Sequence, residues 1–287
     1  MATTLKTDVL VPEVLLDVVK AGLAGMPVMR GTGAAVVRTG LPAGKGDVGK
    51  EVVVPYFGSI GAVEELVEGQ GLTPRKLTQT DERAVIGHAG IAVAMSHWSL
   101  SGAGDPYEEA GRQILEAMGT YWDQKLIDAA ASETDMADYI VDAAALNETM
   151  TYDHLVQIRE KFGDEAKNFA TFVCHSKVYS DMLRSKDSAG RPILVDLSNP
   201  QEPVLNVLGI PILQSDRLAP VGGTYKNLLL KKGSLVLWLN SQSLSILEGE
   251  DILADTRVMA VHSYQAVHRY KRMNLSTKPG VGILKTK

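Results

Sequence analysis

The clearest pattern in the chain is an apolar stripe at i+4 spacing: Ile114, Met118, Trp122 and Leu126, with Leu115 and Tyr121 beside them. Residues four apart share one face of a 3.6-residue helix, so the spacing predicts a helix over 105–131. Asp105 suits its N-cap, Pro106 its first turn and Glu108 the N3 position of a capping box. At about 1.5 Å per residue this is a rod of roughly 40 Å. Two runs of strand composition precede it, 48–57 (VGKEVVVPYF) and 84–95 (AVIGHAGIAVAM). A polar segment joins them and carries Glu64, Glu65, Glu68, Arg75, Lys76, Asp81, Glu82 and Arg83. Together they predict a long hairpin with a charged tip, its arms of roughly 15 residues reaching about 50 Å. A two-stranded ribbon of that length is marginal in water alone. The pattern therefore implies outside support, and a second subunit is the economical source.

The remaining pattern is shorter-ranged. Residues 8–21 read as a short helix, with Pro12 in its first turn and an apolar stripe of Val14, Leu15, Val18 and Val19. A glycine-rich stretch, 22–49, comes next. After Ser132 the chain alternates helix and strand: a helix from about 151 to 162, a strand over 168–174, and a helix over 176–185 with Ser176 as cap. A turn is expected at 187–190, a strand over 205–214 broken at Gly209, and short strands over 227–231, 234–239 and 243–247. From 255 to 270 a strict alternation returns. Val258, Ala260, His262, Tyr264, Ala266, His268 and Tyr270 fall on one face, and Met259, Val261, Ser263, Gln265, Val267 and Arg269 on the other. The mixture predicts an α+β fold.

Composition narrows the class. The 287 residues are 45% hydrophobic and 22% charged, which supports a real core and excludes wholesale disorder. A net charge of −5 excludes a basic nucleic-acid wrapper. The charge is unevenly spread: from Arg257 onward there are seven basic residues and no acidic one. Two readings stand: a solvated basic strand and tail, or charge that complements another copy of the chain or lightly touches nucleic acid. The many carboxylates between Asp123 and Glu165 read as a solvated face. One cysteine, Cys174, excludes an internal disulfide framework and a Cys-cluster zinc site. No stretch approaches the roughly 18 apolar residues of a membrane span. The first residues lack the features of a signal peptide, so synthesis in the cytosol is expected.

Candidate chemistry is sparse. Cys174 and His175 are adjacent, but neighbours in a strand point to opposite faces, which favours a buried structural thiol over a nucleophile. The run Gly31-Thr-Gly33-Ala-Ala-Val36 lacks the third glycine and the strand–helix context of a dinucleotide loop. His262 and His268 share a strand face about 20 Å apart, too far for one metal. His88 and His97 lie in and beside the second hairpin strand. No catalytic, metal-binding or cofactor-binding residue is expected, and the chain reads as no enzyme.

The order of parts is distinctive: an arm, a charged hairpin, a rod helix, an α/β unit and a closing strand. It resembles the major capsid proteins of tailed double-stranded-DNA phages, which share the Hong Kong 97-type fold. LVPEVLLDVV resembles the family's arm, and VVVPYFGSIGAVEELVEGQGL its first E-loop strand and turn. The rod resembles the spine helix, ending in Asp123, Leu126 and Ile127 of an Asp-x-x-Leu-Ile pattern. The most specific match is ATFVCHSKVYSDMLRSKDSAGRPIL, with VLGIPILQSDRL after it. It carries the turn residues Lys186, Asp187, Gly190 and Arg191 and the Leu-Gly-Ile-Pro strand at 208–211, which belong to the family's A-domain.

The resemblance implies an arm at 1–45, an E-loop at 46–98, a P-domain spine helix at 99–131, an A-domain at 132–250, and a P-domain closing strand and C-terminal tail at 251–287. It implies pentamers and hexamers of the chain itself in an icosahedral virion shell. The eight charged hairpin residues would touch a neighbouring subunit. Scaffolding and portal proteins are implied partners, a decoration protein is a further one, and double-stranded DNA is enclosed without sequence-specific binding. Family members often carry a scaffolding segment ahead of the arm; here the arm starts at once, so scaffolding would come from a separate protein or be unnecessary. The alternative with the same fold is an encapsulin-type compartment holding a protein cargo.

Overall fold

The computed structural model describes residues 29, 32–41, 51–58, 61, 63, 65, 71, 74–96, 106–185, 206–240, 245–251, 254–272 and 278–287. Strands β1 (Ala35–Leu41), β2 (Glu51–Phe57) and β3 (Gln79–Ser96) precede helix α1 (Pro106–Ala131). Then come β4 (Ile140–Asp142), α2 (Tyr152–Phe162), β5 (Phe169–Cys174), α3 (Ser176–Arg184), β6 (Asn206–Val207), β7 (Ile210–Gln214) and β8 (Tyr225–Lys231). The described chain closes with β9 (Leu235–Asn240), β10 (Ser245–Asp251), β11 (Thr256–Arg269) and β12 (Val281–Thr286). The strands form two six-stranded sheets. One runs β1-β9-β11-β3-β2 with β10 beside β11; the other runs β4-β12-β8-β5-β7-β6.

The i+4 stripe explains why these sheets come together. Ile114, Met118, Trp122 and Leu126 are all buried, in one core with Leu237, Met259 and Val261 of the first sheet and Leu228, Leu230 and Ile283 of the second. One helix thus serves both sheets, and each large side chain so buried stabilises by about 1.5–3 kcal/mol. The odd-numbered face read from 255–270 is the one that meets α1, with Met259, Val261, Ser263 and Gln265 buried. On the far side of the second sheet, Ile158 and Phe162 of α2 and Val178 and Met182 of α3 pack on Phe172, Leu229 and Leu284. Helix α2 approaches closely because position 282 is glycine: a Cβ there would lie 2.9 Å from Phe162 Cε2 and 3.1 Å from Ile158 Cδ1.

Several expectations are corrected. The basic C-terminal segment is not a solvated tail. β12 is an interior strand between β4 and β8, with Val281, Ile283, Leu284 and Thr286 buried. Nor are the carboxylates of 123–165 simply a solvated face, because many take the chain's own cations. Asp123 pairs with Arg217, Glu133 with Lys226 and Lys285 at 2.7 Å each, Asp135 with Lys271 at 2.5 Å, and Glu165 with Lys231 at 2.6 Å. Hydrogen bonds from Lys226 and then Lys285 hold the Glu133 carboxyl below its usual range. Helix α1 has no basic residue in its last turn. Cations from elsewhere serve its C-terminal end: Lys226 Nζ donates to the Ala131 carbonyl at 3.3 Å, and Arg269 donates to the carbonyls of Ser132 and Thr134.

Smaller differences are local. The N-cap of α3 is His175, whose Nδ1 accepts from the Lys177 amide at 3.1 Å, rather than Ser176. The break at Gly209 is a two-residue hairpin turn, with Leu208 at φ 54° and Gly209 at φ 77°, between β6 and β7. β9 and β10 pair with β11 and so lie in the first sheet, not in the α/β unit. The expected helix at 8–21, the cap at Asp105 and the turn at 187–190 lie outside the described residues.

Candidate functional site

Among the described residues, the hairpin is the part of the first sheet that runs on past the end of β11. Residues 86–96 of β3 pair with β11, and residues 79–85 pair with β2. β3 therefore departs from the sheet at Ile86 and continues as one arm of a two-stranded ribbon. Among the described residues, seven paired residues per arm span about 23 Å of the roughly 50 Å expected. Just beyond Phe57 and Gln79 the Gly58 amide still donates to the Thr78 carbonyl at 2.8 Å, and none of the described residues between 58 and 78 is strand.

The ribbon has two unlike faces because its side chains alternate. Val52, Ala84 and Ile86 face inward onto Leu41, Trp238 and Ala266. Val53, Phe57 and Val85 face outward and are 54%, 56% and 70% exposed, beside the exposed Pro55. Among them lies Arg83, 3.2 Å from Glu51 and 3.3 Å from Asp81. These exposed ion pairs are screened and add little stability. They do leave the outer face nearly neutral and largely apolar, the character of an interaction surface.

The eight charged residues singled out from the sequence do not stay together. Glu64 and Glu68 lie outside the described residues. Glu65, Arg75 and Lys76 are exposed in the segment joining the arms. There Gly61, at φ +91°, lies beside the Arg75 guanidinium. Asp81, Glu82 and Arg83 are not at the tip; they are in β3, opposite Pro55, Val54 and Val53. Glu82 is buried. Its Oε1 accepts from the Tyr56 hydroxyl, and its Oε2 lies 2.8 Å from His268 Nε2. Its parity with Ala84 and Ile86 turns it inward, a signal that the charged company of the segment hides.

The remaining candidates carry little chemistry. Cys174 is buried, and burial pushes its thiol up to about 12. The folded chain should therefore leave a thiol reagent unreacted near neutral pH and titrate one thiol after denaturation; rapid reaction without denaturant would contradict this. His175 caps α3 instead of serving that sulfur. His88 stacks between His262 and Tyr264, at 5.2 and 4.5 Å between ring centroids, on the face of the first sheet away from α1. Gly31 lies outside the described residues, and its glycine-containing run leads into β1, a strand parallel to β9, and not into a helix. Among the described residues there is no group of three or more His, Cys, Asp or Glu placed to hold a metal. No described helix is long and apolar enough to cross a membrane.

A family model described as major capsid protein 13-like matches residues 33–256. No curated protein matches in sequence. Solved structures match in shape. The capsid of a native GTA particle superposes with a TM-score of 0.69 at 12% identity, covering 90% of this chain and 89% of that one. The Mycobacterium phage Adephagia structure gives 0.63 at 12% identity, with 91% and 90% covered. The holo-SrpI encapsulin of Synechococcus elongatus PCC 7942 gives 0.57 at 18% identity, with 73% and 77% covered. At these identities the likeness shows the fold, which is the Hong Kong 97-type capsid fold.

Proposed function

The chain belongs to the major capsid protein 13-like family, and from that premise we propose that it self-assembles, as pentamers and hexamers, into the icosahedral head of a tailed double-stranded-DNA phage. Its role is structural rather than catalytic, and its place is the virion. The match across residues 33–256 carries this reading. In these terms the ribbon and its connecting segment are the E-loop. The first sheet with α1 is the P-domain. The second sheet with α2 and α3 is the A-domain, to which β12 is added and from which β9 and β10 are removed. Scaffolding and portal proteins, a decoration protein and packaged DNA are the partners such a shell would use. The net charge of −5 suits a wall that encloses DNA without gripping it.

Electron microscopy with light scattering tests the reading, on the chain expressed alone and with its genomic neighbours. Closed shells or rings of five and six are expected. Shells filled with one protein and no DNA would favour an encapsulin-type compartment, and a persistent dimer would discredit both.

The neighbour contact is proposed on the outer face of the ribbon as well as on its charged residues. Val53→Asp with Val85→Asp places charge on two exposed positions of that face. The double variant should keep its circular dichroism and lose most of its shell yield, because each buried carboxylate needs a partner at a closed contact. Normal shells from it would exclude that face from the contact.

A further inference from the structure

We propose that Tyr56, Glu82 and His268 form a proton-operated latch that holds the ribbon against the first sheet near neutral pH and releases it on mild acidification. The latch sits where β3 leaves β11. Their last pair is Ile86 with Ala266; past it a cleft of about 390 Å³ opens between the ribbon and the end of β11. Glu82 and His268 meet across that opening, Nε2 to Oε2 at 2.8 Å, each side chain only 7% exposed. On the ribbon's other strand, the Tyr56 hydroxyl donates to the second carboxylate oxygen. One buried carboxylate therefore ties β2 and β3 to β11. Beneath it, among the described residues, the ribbon rests on the small cluster of Leu41, Ala84 and Ala266 and their partly buried neighbours.

The surroundings set the sign. From β11 and the residues after it come Arg269, Lys271 and Arg272, with Tyr270 edge-on to the imidazole at 5.2 Å. From β3 come Asp81 and Arg83, which line the same cleft. β9 offers the uncharged Trp238 at 6.1 Å, and α1 the uncharged Ala129. Arg38 of β1 is opposite Trp238 in the parallel register. Burial pushes His268 below the ordinary histidine value; Glu82 pulls the other way, and Lys271 and Arg269 add to the effect of burial. The closed latch thus binds a proton less readily than an open one whose ring meets water. By linkage, its stability is present above the ordinary histidine value, about 6.5, and is lost as pH falls below it. Every group belongs to one chain, so the device does not depend on the shell reading.

Hydrogen exchange on the full-length chain tests it, at pH values either side of about 6.5 and corrected for intrinsic rates. Light scattering at both values checks that the state of association is unchanged. Amides of 51–57 and 79–85 should lose protection several-fold on acidification, while those of 86–96 hold. In His268→Gln, which keeps a polar side chain but cannot gain the charge, the pH response should vanish. A ribbon whose protection ignores pH, or a variant with an unaltered response, would overturn the latch. Should the variant fail to fold, the imidazole resonance of His268 in the unaltered chain decides. Its titration should coincide with the loss of ribbon protection, and a different midpoint would overturn the proposal.

Discussion

Deleting residues 281–287 should abolish folding of the chain, not merely trim it. β12 occupies the interior of the second sheet, and its removal withdraws Val281, Ile283 and Leu284 from two cores at once. Three such side chains are worth about 5–9 kcal/mol, against about 5–15 kcal/mol of total stability in a typical domain. The deletion also strips the facing hydrogen-bond partners from β4 and β8, and buried backbone groups left unpaired add to the cost. It removes Lys285 from between Glu133 and Asp142 as well. The expected product is insoluble, or soluble without a cooperative melt. Lys287→Ala, by contrast, should be soluble and melt normally, since the Lys287 contact to Glu148 is made by its backbone amide. A truncated chain with native near-ultraviolet circular dichroism would mean that the sheet closes without this strand.

Arg217→Ala should destabilise by about 3 kcal/mol, toward the lower end of the range for breaking a buried ion pair because the guanidinium is partly exposed. Asp123 sits on α1 and is fully buried, whereas Arg217 comes from the segment between β7 and β8. The arginine also reaches Thr120 Oγ1 at 3.2 Å, so it grips one turn of the helix from the side of the second sheet. Its loss withdraws the guanidinium from a carboxylate buried in the core that α1 shares between both sheets. Replacing both partners, as Asp123→Leu with Arg217→Met, should recover much of the loss, because an apolar pair needs no compensation. Denaturant melts of the three chains check this. Equal destabilisation of single and double variants would assign the effect to packing instead.

Range decides which parts of this fold are legible in the sequence. Helix α1 is legible because its signal is local: Ile114, Met118, Trp122 and Leu126 declare one face within four turns. The alternation of β11 is legible for the same reason. β12 is not, since six residues buried on both faces show no alternation, and their partners at Ile140–Asp142 and Tyr225–Lys231 lie far away in the chain. The pairing of Glu133 with Lys285 spans 152 residues, and no spacing rule reaches that far. In the hairpin, composition misleads where parity would serve. Glu82 counts as one more charge in a charged run, although its register with Ala84 turns it inward toward His268. The apolar outer face is there to be read in Val53, Phe57 and Val85, but it alternates with the inner face and so looks like ordinary strand.

The order in which the chain visits its two sheets bears on how such a gene can be inherited. The first sheet takes β1–β3, the second takes β4–β8, the first resumes with β9–β11, and the second ends with β12. A single recombination point anywhere between β3 and β12 therefore leaves at least one sheet with strands from both parents. The seam would run along β3 and β11, or along β8 and β12, where side chains from distant parts of the chain interlock. Chains that share this fold at only 12% identity would seldom match along such a seam. Exchange among them should preserve the coding segment as a block, with viable crossovers gathered at its margins.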